Sequence, residues 1–335
     1  MMRRVIKIVA LSMGILLILM VVFLTVVYFR NRALTRDWLA APSDRGALVE
    51  FGGKKTYVSI AGQGTPSVVI IGGLGASSAE WWRIQDRLAP VTKVVTYDRP
   101  GFGWSDVGKR PRSSRSIAEE LKSLLDAVHI DGPVILLGES IGGLHAECFA
   151  RLFPAQTAGV VMVEPINKGF PLFKERLEKA LYQNLVHKTP RLELARIMAR
   201  TGLIRALRAL PFRNVPEDVQ STLLNAYSTD KVYETMLAEY DRDLEQSIEE
   251  TLHAGSFPQI PLLLIRHSKE ALRKELLFYR ISYDDAEMLE SLMMEMDRET
   301  VSASSLGRII SSKKSKWDIH MTEPNLVVRT VRELL

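Results

Sequence analysis

Apolar positions are distributed very unevenly along this chain. From Ile8 to Phe29 there are 22 consecutive uncharged residues, with Arg3, Arg4 and Lys7 before them and Arg30, Arg32 and Arg36 after. At about 1.5 Å of rise per residue, a helix of that length crosses a hydrocarbon core of roughly 30 Å. A cleaved signal peptide has a shorter apolar stretch, about 7–15 residues, followed by small residues at the cleavage site. Here the run ends Val26-Val27-Tyr28-Phe29-Arg30, bulky and then charged. The pattern predicts an uncleaved, single-pass anchor over residues 1–29 that contacts the bilayer through residues 8–29. Basic residues are balanced on the two flanks, so the positive-inside bias is weak. A short N-terminal tail is easily left in the cytoplasm, which predicts an extracytoplasmic body.

After a polar, charged stretch over 30–46, read as a linker, the pattern changes to short strands alternating with helices. Ala47–Phe51 and Tyr57–Ala61 read as strands bounded by Gly52-Gly53 and Gly62 with Gly64. Val68–Ile71, Val134–Leu137 and Gly159–Val163 are short runs without polar alternation, as expected of parallel strands buried on both faces. Val91–Tyr97 reads as another strand. Helical patterns fall at Glu80–Leu88 and at Ser116–Val128, where Ile117, Leu121, Leu124 and Leu125 share one face. The alternation predicts a doubly wound α/β sheet over 47–335. From about 167 to 257 the strands stop and only helical pattern remains, rich in Leu, Arg and Ala. Ile260–Ile265 and Arg308–Ile310 then restore strands, and Pro324–Leu335 closes the chain as a helix. A helical insertion between sheet strands reads as a lid over their C-terminal ends, where ligands bind in such sheets.

Charge and cysteine content narrow the possibilities. The formal charge is +5, but Arg3, Arg4 and Lys7 belong to the anchor flank, which leaves about +2 for the rest. With no basic run interleaved with aromatics, nucleic acid is not an expected partner. The single cysteine, Cys148, excludes an internal disulfide framework and a cysteine-based metal cluster. No metal is expected.

The chemistry concentrates in Gly138-Glu139-Ser140-Ile141-Gly142. G-x-S-x-G between a strand and a helix is the setting of a nucleophile elbow. A serine on so tight a turn is strained, and glycines two positions before and after it remove clashes. The helix behind it offers free N–H groups and a partial positive charge to a developing oxyanion. Gly72-Gly73-Leu74-Gly75 follows an earlier strand and can bring its backbone close to a substrate. The N–H groups of Leu74 and Ile141 are the candidate oxyanion donors.

Tyr97-Asp98-Arg99-Pro100-Gly101-Phe102-Gly103-Trp104-Ser105-Asp106 resembles the strand-four loop of the α/β-hydrolase superfamily, in its esterase and epoxide-hydrolase-like branch. The resemblance runs from about residue 50 to the C-terminus, is strongest over 66–166, and is weak through the lid. It implies a mostly parallel sheet of about eight strands, a Ser–acid–His triad in that chain order, and no cofactor. Two adjacent positions depart from the pattern, Lys316 at its glycine and Trp317 at its histidine. The family's closing motif resembles S-G-H-x-I-H-x-x-x-P, whereas this chain has Ser315-Lys316-Trp317-Asp318-Ile319-His320-Met321-Thr322-Glu323-Pro324. Trp317 therefore falls on the usual histidine, and indole cannot accept a proton. His320, three residues on, is the first candidate base; His267, just after a strand, is the second. For the acid, Glu164 at a strand end is preferred to Glu270 in a charged helical run.

Two functions follow. One is a membrane-anchored serine hydrolase, carboxylesterase- or lipase-like, acting on hydrophobic esters or lipid-like small molecules with Ser140, His320 and Glu164. The other is a relative that keeps the fold and pocket but has lost its base, serving as a binding or scaffold protein at the membrane. A dehalogenase or epoxide hydrolase is disfavoured, because those relatives carry aspartate at position 140.

Overall fold

The structure is a computed structural model and describes residues 2–109, 111–212 and 215–335. It opens with helix α1 (Met2–Ala40), which is long and apolar enough to cross a membrane. The stretch read as a linker from residue 30 is helical as far as Ala40, because its polar residues find partners in the body. Asn31, for example, is buried and donates to the backbone carbonyls of Ala199 and Ser228.

Eight strands follow: β1 (Ala47–Phe51), β2 (Lys54–Ala61), β3 (Ser67–Ile71), β4 (Val94–Tyr97), β5 (Val134–Glu139), β6 (Thr157–Val163), β7 (Leu262–Arg266) and β8 (Gly307–Ser311). They form one sheet in the order β1-β2-β4-β3-β5-β6-β7-β8. Pairings of β2 with β1 and β4 are antiparallel and all the others are parallel. The doubly wound, mostly parallel sheet expected from the pattern is the one observed. Its helices are α2 (Trp82–Leu88), α3 (Ser114–Ala127) and α4 (Ile141–Leu152) in the first half, with α12 (Lys269–Phe278), α13 (Tyr283–Val301), α14 (Ile319–Thr322) and α15 (Pro324–Arg332) in the second.

Side-chain alternation along the strands builds two cores. Val69, Ile71, Leu136, Val160 and Leu264 point to the side covered by α3 and α4. Val68, Ile70, Leu137, Val161 and Ile265 point to the side covered by α2 and α15. Each such aliphatic side chain contributes about 1.5–3 kcal/mol by leaving water. Burial on both faces is why these strands read as unbroken apolar runs.

The insertion between β6 and β7 holds, among its described residues, helices and turns: α5 (Leu172–Arg176), α6 (Lys179–Leu185), α7 (Thr189–Thr201), α8 (Leu203–Leu207), α9 (Glu217–Tyr227), α10 (Asp230–Leu237), a π-helical turn (Ala238–Arg242) and α11 (Leu244–Leu252). Its own core joins Leu192, Ile204, Leu223, Tyr227 and Val232 to Trp82 and Trp104 of the body. The insertion is thereby fixed over the C-terminal ends of the strands.

Candidate active site

Ser140 stands between β5 and α4 with φ 52° and ψ −123°, a left-handed backbone that a side-chain-bearing residue adopts only when its surroundings force it. They do so by hydrogen bonds: Ser140 N–H donates to Val163 C=O at 3.0 Å, and its own carbonyl accepts from Gly143 and Ile166 at 3.0 and 2.9 Å. A Cβ at Gly138 would run into the backbone of Gly142, and one at Gly142 into the carbonyls of Ile71 and Gly72. Only glycine permits this approach of the elbow to the loop after β3.

That loop is held from below. Buried Arg99 donates through Nε to Gly72 C=O at 3.2 Å and through a terminal nitrogen to Gly73 C=O at 2.7 Å. Its other terminal nitrogen meets Glu239 of the lid at 2.5 Å. Asp98, fully buried, accepts from the N–H groups of Ser78 and Trp104 at 2.6 and 2.8 Å. The Asp98-to-Trp104 segment is therefore a brace for the loop and its following turn. Among the described residues, neither Leu74 N–H nor Ile141 N–H is taken up by a turn or cap hydrogen bond.

Above Ser140 lies a cavity of about 340 Å³ whose lining includes Ser140, Glu80, Glu139, Glu164, Trp317 and His320, with an apolar wall of Leu74, Leu192, Phe212 and Met236. His320 is 3 % exposed, and among the described residues neither of its ring nitrogens has a hydrogen-bond partner. It stacks on Trp81 at 4.5 Å between ring centres, with Nε2 3.7 Å from a Glu80 carboxylate oxygen. Burial opposes its charge, but Glu80, Glu139 and Asp318 outweigh that and raise its pKa above the ordinary value. Glu80 also accepts from Ser77 N–H and Tyr227 Oη, each at 3.2 Å. Glu139 presses on Gly73, where a Cβ would meet its carboxylate. Burial pushes its pKa up to about 7. No hydrogen bond joins Ser140 Oγ to a histidine among the described residues.

Glu164, expected beside His320, is paired with His267 instead. At the end of β6 its backbone turns left-handed (φ 46°) while its N–H bonds Ile265 C=O, which aims the carboxylate across the end of β7. There it receives the N–H of His267 and lies 3.0 Å from His267 Nδ1. His267 Nε2 lies 2.6 Å from Glu290, and Glu290 also pairs with Arg266 at 2.8 Å. Burial lowers the imidazole pKa, but bonds to Glu164 and Glu290 more than offset it, raising it to about 9. His267 is thus a buried imidazolium with both nitrogens committed, and it is not a free base for Ser140. Trp317 packs beside it at 5.5 Å. His145 is buried and does not line the cavity; its Nδ1 lies 2.8 Å from Ser114 Oγ, and burial holds its pKa well below the ordinary value. Glu270 opens α12 and does not line the cavity.

Sequence reasoning overlooked Glu80, Glu139 and Glu290. Glu139 was adjacent to the elbow and could have been considered. Glu80 opens a predicted helix and Glu290 lies within α13, and on a helix a carboxylate ordinarily marks a solvated face. Among the described residues no group of acidic, histidine or cysteine side chains has the arrangement of a metal site.

A family model described as the alpha/beta hydrolase fold matches residues 66–273. An AB hydrolase superfamily protein of Gibberella zeae is 24% identical over 302 residues, covering 84% of this chain and 91% of that protein. A 2-hydroxy-6-oxononadienedioate/2-hydroxy-6-oxononatrienedioate hydrolase of Escherichia coli (strain K12) is 28% identical over 167 residues, 47% of this chain and 57% of the other. Among solved structures, an alpha/beta hydrolase fold protein from Burkholderia ambifaria superposes with a TM-score of 0.61 at 19% identity, covering 88% of this chain and 99% of that one. The epoxide hydrolase CorEH gives 0.63 at 15% identity, with coverage of 86% and 96%.

Proposed function

We propose that this chain, which belongs to the α/β-hydrolase fold family, is a membrane-anchored serine hydrolase that cleaves hydrophobic carboxylic esters. The observation that carries this reading is Ser140 in its strained elbow, facing a cavity it shares with a histidine whose two nitrogens are unspent. A lapsed site has no packing reason to keep a left-handed serine there, since the strain costs of order 1–3 kcal/mol.

In this mechanism Ser140 Oγ attacks the ester carbonyl as His320 takes its proton. The N–H groups of Leu74 and Ile141 bind the oxyanion. His320 returns the proton to the leaving alcohol, and water then releases the acyl group by the same steps reversed in role. Glu80, rather than Glu164, orients the imidazole and stabilises its charge. Hydrogen bonds of this kind are often long in free enzymes and tighten only when substrate is bound. The apolar wall supports a hydrophobic acyl or alkyl group. Anchoring through α1 is supported by its apolar, exposed run and by Asn31 and Trp38 being built into the folded body, which a cleaved leader would not be.

A second reading, a binding protein without turnover, is favoured by Trp317 at the family's histidine position. Labelling of the full chain by an alkyl fluorophosphonate, beside p-nitrophenyl butyrate and longer-chain esters, separates the two. The hydrolase requires labelling and turnover that vanish in Ser140→Ala and fall by about 10²–10⁴ in His320→Gln. Folded wild-type protein that neither labels nor turns over any ester would leave the binding reading.

A further inference from the structure

We infer that the outer face of α7 and α8 is a lipid-contacting surface, seated on an anionic bilayer beside the point where α1 emerges. The inference rests on α1 being a membrane anchor.

The first observation is how tightly α1 is joined to this part of the lid. Gly202, between α7 and α8, has φ +86°, and a Cβ there would lie 2.8 Å from the carbonyl oxygen of Val27 and from Asn31 Cβ. Asn31 donates to Ala199 C=O at 3.1 Å and to Ser228 C=O at 3.3 Å, and accepts from Arg205 Nε at 2.8 Å. Arg205 also reaches Thr35 Oγ1 at 3.2 Å. A buried asparagine satisfied from three directions fixes both position and rotation of the helix.

The second observation is where this crossing falls. Val27 belongs to the last turn of the apolar run that ends at Phe29, so Gly202 stands level with the membrane boundary. Ile197 and Leu207 are each five residues from Gly202, within about 8 Å of it along their helices.

The third is what these helices present outward. Leu194, Ile197 and Leu207 are 60, 57 and 65 % exposed, while Leu192 and Ile204 of the same helices are buried. Residues 188–208 carry six basic side chains and one acidic one; Arg205 is turned to α1 and Lys188 to the cavity, which leaves Arg191, Arg196, Arg200 and Arg208, with Arg196 paired to Glu193. An apolar stripe bordered by arginines is what an anionic interface takes up from a helix lying in its plane. Leu192 and Phe212 line the cavity from the inner side. One lid element thus separates the lipid surface from the site, and esters dissolved in the bilayer would meet the lid first.

The test uses the full chain in vesicles of phosphatidylcholine with a minority of phosphatidylglycerol, carrying a polarity-sensitive dye on single introduced cysteines. Native Cys148 is buried, so unsubstituted protein serves as the labelling blank. The positions are Leu19→Cys in the anchor, Ile197→Cys and Leu207→Cys on the lid, and Asp131→Cys on the opposite rim. Acyl chains brominated near the headgroup and deeper in the chain act as quenchers. The inference requires deep quenching at 19, shallow quenching at 197 and 207, and none at 131. It also requires that pure phosphatidylcholine abolish the signal at 197 and 207 while sparing 19. Quenching at 19 but not at 197 or 207 overturns the lipid surface and leaves the anchor standing. Quenching at 131 as well means general adsorption and overturns it too. No quenching at 19 removes the anchor, and the inference falls with it.

Discussion

The pairing of His267 with two carboxylates makes a pH dependence that can be worked out in advance. Its pKa is raised from the ordinary 6.5 to about 9 in the folded chain, and unfolding returns it to the ordinary value. A raised pKa in the folded state means stability that is complete below pH 6.5 and lost as pH rises through 9. At about 1.4 kcal/mol per pH unit, that interval corresponds to about 3 kcal/mol. His267 is fully buried and bonded on both nitrogens, so solvent screening removes little of it. For a chain of this size the loss is about 4 °C in midpoint. Lys231 slopes the other way, because burial lowers its pKa to about 8 and folding then gains stability as pH rises above that value. The clean quantity is therefore the difference between wild type and His267→Gln, which lacks the titrating group. Thermal unfolding of both full-length proteins in detergent, at pH values from about 6 to about 9.5, should show the wild-type advantage shrinking steadily with pH. A difference that stays constant over this range, or an imidazole NMR signal for His267 that titrates near 6.5, would refute the reasoning.

Other expectations follow from the same geometry. Glu139→Gln removes a negative neighbour that helps raise the His320 pKa, so the acid limb of the activity profile should move to lower pH, read from kcat/KM against pH. Gly142→Ala drives a Cβ into the carbonyls of Ile71 and Gly72; thermal unfolding should register at least the ~1–3 kcal/mol of an overpacked site. Arg99→Met leaves the buried Glu239 carboxylate with Arg112, whose Nε is 3.8 Å away, as its remaining cation and should cost about 3 kcal/mol, the low end for a broken buried pair. The double variant Arg99→Met with Glu239→Leu should recover much of it, and unfolding midpoints would show whether it does.

The parts of this protein visible in its sequence are those set by local rules. Strand β3 was legible because burial on both faces permits only apolar residues, and the elbow because Gly138 and Gly142 must lack a Cβ. Glycine at Gly73 and Gly75 marked the loop that faces it. The charged network was not legible, since His267 finds one partner 103 residues earlier and another 23 residues later, and nothing local announces either. Glu164 illustrates the same limit: its place at a strand end could be read, but the left-handed turn that aims it at His267 could not. The stretch after residue 30 reads as a linker on its polarity alone. Its polarity instead serves packing, with Asn31 and Thr35 answered by Arg205 about 170 residues away.

The contact of Arg99 with Glu239 bears on how material passes in and out. One guanidinium holds both the loop beside Ser140 and the π-helical turn of the lid. Lifting that half of the lid would pull two charges apart inside a buried, low-dielectric setting. The other half is held as well, since Asn31 of α1 bonds the carbonyls of Ala199 and Ser228. With both sides tied, the insertion has no free edge on which to swing as a whole, and any opening of the cavity is a local rearrangement of single turns.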